Sequence, residues 1–298
     1  MRDRPGWDRA ARRIARSLVR RISPALAFTV VERAGPHYAR LALRAGGWLL
    51  PRGVPTFPAK VASLLGEPLG PRESERLIEG RVVFLLTRAL LAQVLLAHPS
   101  AEGRRRLVPI GVDGAAHLEA AIGEGRGIIV VSAHFGLPPL IPLVLGDFGS
   151  DVIGVGGKPA PGVDLSVSGD VWDRARGLQR LRGQLAENRA CLFLPDGVYG
   201  RYTEAPFLGG RIGVTLGPFH LAQVTGSPLL TAFAVRSRGT PRFRVEIGRA
   251  LSVPGESHAE PPTEAVAEFA RRYEALARRH PCQLFGYEAL FAPGAPLS

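Results

Sequence analysis

The sequence predicts an α/β protein with a mixed central sheet flanked by helices, joined to a basic helical region at the N-terminus. Two observations predict this fold class. After residue 111, short apolar runs rich in β-branched residues alternate with segments of helical spacing, as in sheets that are covered by helices. In residues 1–106, segments rich in Leu, Ala, Val and Arg are instead separated by Pro and Gly, which indicates helices. We therefore expect a helical region over 1–106 and an α/β domain over 107–298.

The first element is a basic amphipathic helix that begins near Trp7. Residues 1–52 contain 12 arginines against three acids, which accounts for +9 of the chain's net charge of +12. Apolar residues from Trp7 to Ile22 recur at helical spacing, and arginines occupy mostly the other face. Such a helix is typical of segments that lie in a membrane interface, although it also fits a solvated helix that covers the core.

This charge favours anionic partners, such as an anionic membrane surface or an acidic carrier protein. We expect no nucleic-acid partner, because no zinc-finger, helix-turn-helix or stacking-aromatic pattern accompanies the arginines. The apolar windows 24–50 and 82–97 are interrupted by charges, so we expect no transmembrane span, and no signal peptide is evident. The sequence therefore predicts a cytoplasmic protein that is peripheral on the inner face of the cell membrane.

The composition excludes several other classes of protein. The chain has 298 residues, of which 46% are hydrophobic and 21% charged, and this excludes disordered, collagen-like and coiled-coil proteins. Its two cysteines, Cys191 and Cys282, exclude a disulfide scaffold, and we expect both to be reduced thiols. Cys191 lies inside an apolar run, which argues against a nucleophile.

Five segments after residue 111 predict strands, and the intervening segments predict helices. The fifth strand, 242–248, alternates polar and apolar residues and therefore predicts a half-exposed edge strand. Continuous apolar runs predict buried strands at 127–133, 151–155, 190–195 and 228–235. Helical spacing predicts helices at 112–125, 172–188, 215–226 and 263–280, the last with Val266, Phe269, Tyr273 and Leu276 on one stripe.

His134 is the first candidate for a functional residue. It directly follows the predicted buried strand 127–133, and the carboxyl ends of strands are where α/β sheets bind their ligands. The small Gly136 that follows leaves room for a substrate. The alternative is that His134 only caps the following helix.

Asp196 is the second candidate, in the segment Leu194-Pro-Asp-Gly197 at the end of another predicted strand. If the two strands are parallel, Asp196 and His134 lie at the same edge of the sheet. A carboxylate next to a histidine fixes its tautomer and raises its basicity. The alternative is a turn residue, because Pro-Asp-Gly is a common turn sequence.

Two arginines in Gly-rich segments are candidates for binding anions. Arg201 and Arg211 flank the glycines at 209 and 210, where guanidinium groups and backbone amides can hold a phosphate or a carboxylate. Either arginine could equally be an ordinary surface charge. No two of the seven histidines have metal-ligand spacing, so we expect neither a metal nor a cofactor.

Five blocks in this order resemble the lysophospholipid acyltransferase superfamily, in particular the late acyltransferases of lipid A biosynthesis and the bacterial phosphatidylinositol-mannoside acyltransferases. The blocks are His134-Phe-Gly136, Leu194-Pro-Asp196, Pro206-Phe-Leu-Gly209, Thr215-Leu-Gly-Pro-Phe-His-Leu-Ala222, and Thr225-Gly-Ser-Pro228 through Arg236. The resemblance implies a glycerolipid acyltransferase-like fold. It also implies that His134 acts as general base on an acceptor hydroxyl, which attacks the thioester of an acyl carrier protein or of coenzyme A.

The resemblance implies further contacts with substrate. Phe135 and Gly136 of the first block and Gly209 of the third would contact it, while Arg201 and Arg211 would hold its anionic groups. A set of apolar residues after Gly136 would either wall an acyl groove or belong to the core. These are Leu137, Leu140, Leu143 and Val144.

One position departs from the superfamily's signature of a histidine, four residues and an acid. Pro139 stands where the acid belongs, and no other histidine in the chain has Asp or Glu five positions later. Proline offers neither charge nor acceptor, so Asp196 or Glu204 would have to orient His134. Pro142, deeper in the predicted helix, should distort it.

Three interpretations of this degenerate motif follow. In the first, the chain is an acyltransferase that moves an acyl group from a thioester donor to a lipid or lipid-like acceptor, with Asp196 or Glu204 orienting His134 or with an acceptor amine that needs less help. Alternatively, the fold is repurposed for thioester hydrolysis, cyclisation or amine acylation in a secondary pathway. In the third interpretation catalysis is lost, and the protein is a binding or scaffold homologue.

Overall fold

The structure of the protein is a computed structural model. It describes residues 7–47, 49–51, 53–98, 103–104, 107–156, 165–166, 171–196, 201–237, 242–253 and 262–284. The chain divides into two compact units. The first comprises Met1–Pro109 with Arg278–Gln283, and the second comprises Ile110–Ala277 with Leu284–Ser298.

The first unit is helical where the structure describes it. Its longer helices are α1 (Trp7–Arg21), α2 (Pro24–Arg44), α3 (Phe57–Leu65) and α4 (Pro71–Ala97). The hydroxyl of Ser23 caps α2 by accepting from the Leu26 amide, and Pro24 fits the first turn because it has no amide hydrogen to satisfy. The helices α2 and α4 pack around a small apolar core formed by Ala39, Ala42, Leu50, Val54, Ile78 and Val82.

Two contacts on α4 organise this unit. Gly35 of α2 lies against Val83, where an added Cβ would be 2.7 Å from a methyl carbon, so glycine allows the two helices to approach closely. Arg81 is buried, with its guanidinium 4.8 Å from the centre of the Phe57 ring. It also donates to the carbonyl oxygen of Cys282 at 3.0 Å, which ties a short 3-10 turn at Pro281–Gln283 to α4.

Within the described ranges, α4 is long and apolar enough to cross a membrane by length and composition, although no span is predicted from the sequence. Half of its most apolar 18-residue stretch is buried inside the structure. A core helix passes the same test, and α4 carries buried residues along most of its length.

The second unit contains the sheet, which confirms the predicted α/β class. Its strands are β1 (Ile110–Asp113), β2 (Ile128–Val131), β3 (Val152–Gly156), β4 (Leu165–Ser166), β5 (Ala190–Phe193), β8 (Leu229–Arg236) and β9 (Phe243–Ile247). The described strands form a seven-stranded sheet in the order β1-β9-β8-β2-β5-β3-β4. All neighbours are parallel except β8 and β9, so the sheet is mixed.

Helices connect and cover these strands. They are α5 (Ala115–Gly123), α6 (Ile141–Asp147), α7 (Val171–Ala186), α8 (Gly217–Thr225) and α9 (Thr263–Arg279). The stripe predicted on the last helix is confirmed, because Val266, Phe269, Tyr273 and Leu276 are all buried. The continuous apolar strand β2 is buried on both faces, as its sequence predicts.

Two predictions about the sheet are wrong. The strand at 243–247 is not an edge, because β1 pairs outside it. Its polar residues Arg244 and Glu246 are half-exposed, as predicted, and Arg244 donates to Asp113 of β1 at 2.6 Å. The segment 112–125, predicted to be helical throughout, begins as the end of β1 and becomes helical only at Ala115. The strand could not be predicted because its four residues carry too little pattern.

The Gly-rich segment after residue 200, in which no strand is predicted from the sequence, is a β-hairpin. Its strands are β6 (Tyr202–Phe207) and β7 (Gly210–Thr215). Leu208 and Gly209 form the two-residue turn, with φ of 48° and 73°. Two left-handed residues are what a tight hairpin turn requires, since they match the twist of the strands. Leu208 accepts this conformation with its side chain buried.

Candidate active site

The carboxyl ends of β2 and β5 bring two loops together. The strands are parallel neighbours, with Val131 opposite Phe193. The amide of Ser132 then donates to the carbonyl oxygen of Phe193 at 2.9 Å, so the pairing continues beyond the strands. His134 follows the end of β2 by three residues, and Asp196 follows the end of β5 by three residues. The two residues therefore leave the sheet next to each other. This confirms the prediction that His134 and Asp196 share one edge of the sheet.

His134 and Asp196 make two hydrogen bonds. The imidazole Nδ1 lies 2.9 Å from Oδ1 of Asp196, and the backbone amide of His134 donates to Oδ2 at 2.7 Å. The carboxylate side chain is only 3% exposed, whereas the imidazole is 55% exposed. The buried Asp196 carboxylate thus orients the solvent-accessible His134 ring, and its bond from the His134 backbone amide fixes the position of the carboxylate.

This arrangement has a defined chemical consequence. A neutral imidazole that donates from Nδ1 carries its lone pair on Nε2, where it can accept a proton. When the ring becomes charged, the adjacent carboxylate stabilises the imidazolium. His134 does not cap the next helix, since the N-cap of the 3-10 turn at Pro138–Leu140 is Leu137. His134 and Asp196 thus have the geometry that a general base and its orienting acid require.

Pro139, at the position of the superfamily's acid, is exposed on that 3-10 turn. The α-helix α6 begins only at Ile141, so Pro142 stands in its first turn, where a missing amide hydrogen is tolerated. The predicted distortion by Pro142 is therefore wrong, because the helix begins only one residue before it and the 3-10 turn at Pro138–Leu140 precedes the helix.

The second carboxylate considered for His134, Glu204, is engaged on the hairpin. Its Oε2 accepts from Arg211 Nε at 2.8 Å, and its carbonyl oxygen accepts from the same guanidinium at 3.1 Å. Of the two carboxylates considered, Asp196 is the one whose contact with His134 the structure shows. The predicted anion-binding role of Arg211 stays a prediction, and this guanidinium already has an anionic partner.

Phe135 and Gly136 hold the His134 loop against the core. Gly136 has φ of +61°, and an added Cβ would overlap the carbonyl oxygen of Ala234. The next amide, of Leu137, donates to that oxygen at 2.8 Å. Phe135 is fully buried and pairs with the backbone of Leu284. The structure gives both residues a packing role, while their predicted contact with substrate stays a prediction.

The remaining predicted residues divide by exposure. Arg201 and Gly209 are exposed, Arg201 near the base of the hairpin and Gly209 in its turn. The hairpin base lies beside the candidate acid, since the Thr215 amide donates to the Pro195 carbonyl oxygen at 2.8 Å. The residues considered for an acyl groove are buried core residues here: Leu137, Leu140, Leu143 and Val144.

Tyr273 is a residue near the site for which the sequence predicts only a packing role, on the stripe of the last helix. It is fully buried on α9, and its ring lies 5.7 Å from that of Phe135 and 4.6 Å from that of Phe207. Burial raises the pKa of Tyr273 well above its ordinary value, and the negative charge of Asp196 raises it further. The signal in the sequence was a single tyrosine among the apolar residues of an amphipathic helix.

Other reactive groups lie apart from this chemistry. Cys191 is buried in β5, and burial raises the pKa of its thiol to about 12, which agrees with the expected lack of nucleophilic character. His220 is helical, with Nδ1 2.9 Å from Oε1 of Gln223. In the part of the chain that the structure describes, no group of three or more His, Cys, Asp or Glu could hold a metal ion.

No protein-family model matches this sequence, and no curated protein sequence matches it. Among solved structures, the chain is similar to the 1-acyl-sn-glycerophosphate (LPA) acyltransferase PlsC from Thermotoga maritima. The match covers 82% of this chain and 96% of that one, with 15% identity and a TM-score of 0.36.

Proposed function

We propose that the protein is an acyltransferase that moves an acyl group from a thioester donor to a hydroxyl of a lipid or lipid-like acceptor. The observation that carries the proposal is the His134–Asp196 pair at the carboxyl edge of the sheet. The five sequence blocks that resemble lysophospholipid acyltransferases supply the reaction class. The pair supplies an acid that Pro139 cannot.

The proposed reaction uses His134 as a proton carrier. Nε2 accepts the proton of the acceptor hydroxyl while the oxygen attacks the thioester carbonyl carbon. The tetrahedral intermediate then expels the thiolate, which takes the proton from His134, so an ester and a free thiol are formed. Asp196 stabilises the imidazolium between these two steps, and its burial keeps the carboxylate close to the ring.

The donor is proposed to be an acyl carrier protein or acyl-coenzyme A, because both present a thioester on a negatively charged carrier. Arg201 supports this proposal, since it is an exposed cation that follows Asp196 by five positions. The helix α7 adds exposed cations at Arg176, Arg180 and Arg182. A charged carrier is attracted by such residues over roughly a Debye length, about 8 Å at physiological salt.

The acceptor is proposed to lie in an anionic membrane surface on the cytoplasmic side. On α2 the residues Leu26, Val30 and Leu41 are exposed and share one helical face with the exposed cations Arg33 and Arg44. Apolar side chains with arginines on one face favour the interface of an anionic bilayer.

Part of the expected apolar face of the basic helix α1 is described as well. Ile14 is exposed, and Leu18 and Ile22 are half-buried. The side chains of Trp7 and Ala11 lie outside the described residues. We therefore base the proposed membrane contact on α2.

The experiment uses an acylated acyl carrier protein and, in parallel, acyl-coenzyme A, with vesicles that contain a lysophospholipid. Mass spectrometry follows both the loss of the acyl group from the donor and its appearance on the acceptor. The wild-type chain should transfer the acyl group, and the His134→Ala variant should lose nearly all turnover. His220→Gln is the matched control, because His220 lies on α8 outside the pair.

Two results would oppose the proposal. If the donor loses its acyl group to water alone, the site is a hydrolase. If His134→Ala retains wild-type transfer, the pair is not the active site. A donor that works only as the carrier protein, or only as coenzyme A, identifies which donor class the site uses.

A further inference from the structure

The helix α7 has a basic surface whose partner the proposed reaction leaves open. Over residues 176–186, where its side chains are described, the sequence contains three arginines and no acid. Arg180 and Arg182 are exposed, and neither forms an ion pair with a described residue. Arg189, just beyond the helix, instead pairs with two carboxylates. The described part of the chain therefore does not neutralise the charge of Arg180 and Arg182.

The course of the chain places one end of α7 at the edge of the sheet that carries His134. The strands β4 and β5 are both parallel to β3, so α7 connects the carboxyl end of β4 with the amino end of β5. The segment after α7 lies at the amino edge, where the Ile128 amide donates to the Arg189 carbonyl oxygen at 3.1 Å. Ten helical residues rise about 15 Å, slightly more than the length of a four-residue strand such as β5. Arg176 therefore lies about level with the end of β5, which Asp196 follows in the chain.

The arginines of α7 lie on both flanks of the helix. Leu181 is buried where α7 packs on β5. Arg180 and Arg182 are its neighbours in sequence, so they project about 100° away from it in opposite directions around the helix. Leu178, four residues before Arg182, shares that flank and is 42% exposed. Arginines around an exposed apolar side chain are typical of protein–protein interfaces.

The shape of this surface distinguishes between the two proposed donor classes. Coenzyme A carries its phosphates on one small molecule, and small ligands bind in concave sites where a few polar groups converge. The side chains of Arg180 and Arg182 leave a convex helix in diverging directions, so they do not converge on one nucleotide. A protein can contact both flanks at once, because its negative charges are spread over a surface.

We propose that the exposed surface of α7 formed by Arg180, Arg182 and Leu178 docks the donor as an acyl carrier protein, an acidic protein that carries its thioester on a flexible pantetheine arm. The inference rests on the proposed function, in which a thioester reaches His134, and it selects the carrier protein as the donor. The arginines attract the acidic face of the carrier, and Leu178 contacts an apolar side chain on it. The arm then extends past the N-terminal end of α7 to the carboxyl edge of the sheet.

The first test measures kcat/KM for acyl transfer from an acylated carrier protein and from acyl-coenzyme A. Arg180→Glu and Arg182→Glu should each lower kcat/KM with the carrier protein about fivefold or more, mainly through KM, because each replaces an attraction by a repulsion. Turnover of acyl-coenzyme A should stay within about twofold of wild type. Unchanged kinetics with the carrier protein, or an equal loss with both donors, would overturn the proposal.

Arg249→Glu is the matched control, since it changes the net charge by the same amount. Arg249 is exposed, and its neighbour Gly248 donates to the Thr231 carbonyl oxygen near the start of β8, at the opposite edge of the sheet. This variant should keep the wild-type kcat/KM with the carrier protein. A loss equal to that of Arg182→Glu would show that only the net charge matters, and it would overturn a docking site on α7.

The second test measures binding without turnover. Fluorescence anisotropy follows a labelled acylated carrier protein that binds to the His134→Ala chain. Adding Arg182→Glu should weaken binding and reduce its dependence on salt, whereas adding Leu178→Ser should weaken binding at every salt concentration. Binding that neither substitution changes would overturn the proposal.

The same binding measurement separates this inference from the proposed function. A wild-type chain that binds the carrier protein through α7 but transfers no acyl group contradicts the proposed function alone. A chain that transfers the acyl group while the α7 variants bind like wild type contradicts the docking surface alone. Vesicles containing phosphatidylglycerol test the other anionic occupant, and loss of vesicle binding in Arg182→Glu with unchanged carrier binding would assign α7 to the membrane and overturn the proposal.

Discussion

The polar pair at the strand ends and the polar pair on the hairpin have nearly the same geometry and very different surroundings. His134 Nδ1 and Asp196 Oδ1 are 2.9 Å apart, and Arg211 Nε and Glu204 Oε2 are 2.8 Å apart. The Asp196 side chain is 3% exposed, whereas that of Glu204 is 53% exposed. Distance alone would rank the two pairs equally.

Water makes the difference between them. Around Glu204 and Arg211, solvent screens the charges and competes for the hydrogen bonds, so such a pair contributes little to stability. The buried Asp196 carboxylate has lost its contacts with water and is hydrogen-bonded to His134 instead. A change of either partner would therefore leave a buried polar group without its bond. Burial of one partner and exposure of the other is what makes a pair suited to moving a proton.

The largest expected effect is the loss of activity in Asp196→Asn. Asparagine keeps the volume but can neither hold the imidazole in one tautomer nor stabilise its charge, so kcat for acyl transfer should fall about 10²–10⁴-fold. Steady-state kinetics measure this, and Glu204→Gln is the matched control, with a kcat close to wild type. Equal losses in both variants would mean that burial does not distinguish the two pairs.

Alanine substitutions of the glycine near each pair, Gly136 and Gly209, should also lower the free energy of unfolding by different amounts. Gly136→Ala forces a Cβ against the Ala234 carbonyl oxygen in a left-handed conformation, whereas Gly209→Ala adds a Cβ in an exposed turn. The left-handed conformation alone costs about 1–2 kcal/mol for alanine. We expect Gly136→Ala to lower the free energy of unfolding by clearly more than Gly209→Ala does. Denaturant titrations of both variants check this, and equal losses would contradict it.

The hairpin pair should contribute little to stability. A double-mutant cycle with Glu204→Gln and Arg211→Gln is expected to give a coupling free energy of about 0.2–1 kcal/mol. The coupling should decrease further in ~1 M salt, where the Debye length is about 3 Å. A coupling above about 2 kcal/mol that persists at high salt would show that the pair is not solvent-screened.

The smallest expected effect concerns Cys191, a buried group on β5, the strand that precedes Asp196 in the chain. Its pKa of about 12 means that the folded protein keeps the thiol protonated at pH 8. Because the folded pKa is raised, this thiol favours folding at neutral pH, and its contribution disappears as the pH rises toward 12. Alkylation at pH 8 in a Cys282→Ser variant should therefore be slow until the protein unfolds. Rapid alkylation of the folded variant would contradict this.

Much of the fold could be predicted from local patterns. The strands β2, β3, β5 and β8 were predicted because a strand buried on both faces is a continuous apolar run in the sequence. The stripe of the last helix was predicted because its buried residues recur at helical spacing. The hairpin was missed because glycines at 209, 210 and 213 and a proline at 206 are typical of loops.

The sequence by itself determined that a histidine follows a buried strand and that Pro139 replaces the expected acid, because both facts are local. Only the tertiary structure decided which carboxylate reaches His134. Asp196 lies 62 residues away and arrives through the parallel pairing of β2 with β5, while Glu204 is held by Arg211 on its own hairpin. A tertiary contact also gave Tyr273 its place near the pair. No periodicity records such contacts, since the packing of the whole domain fixes them.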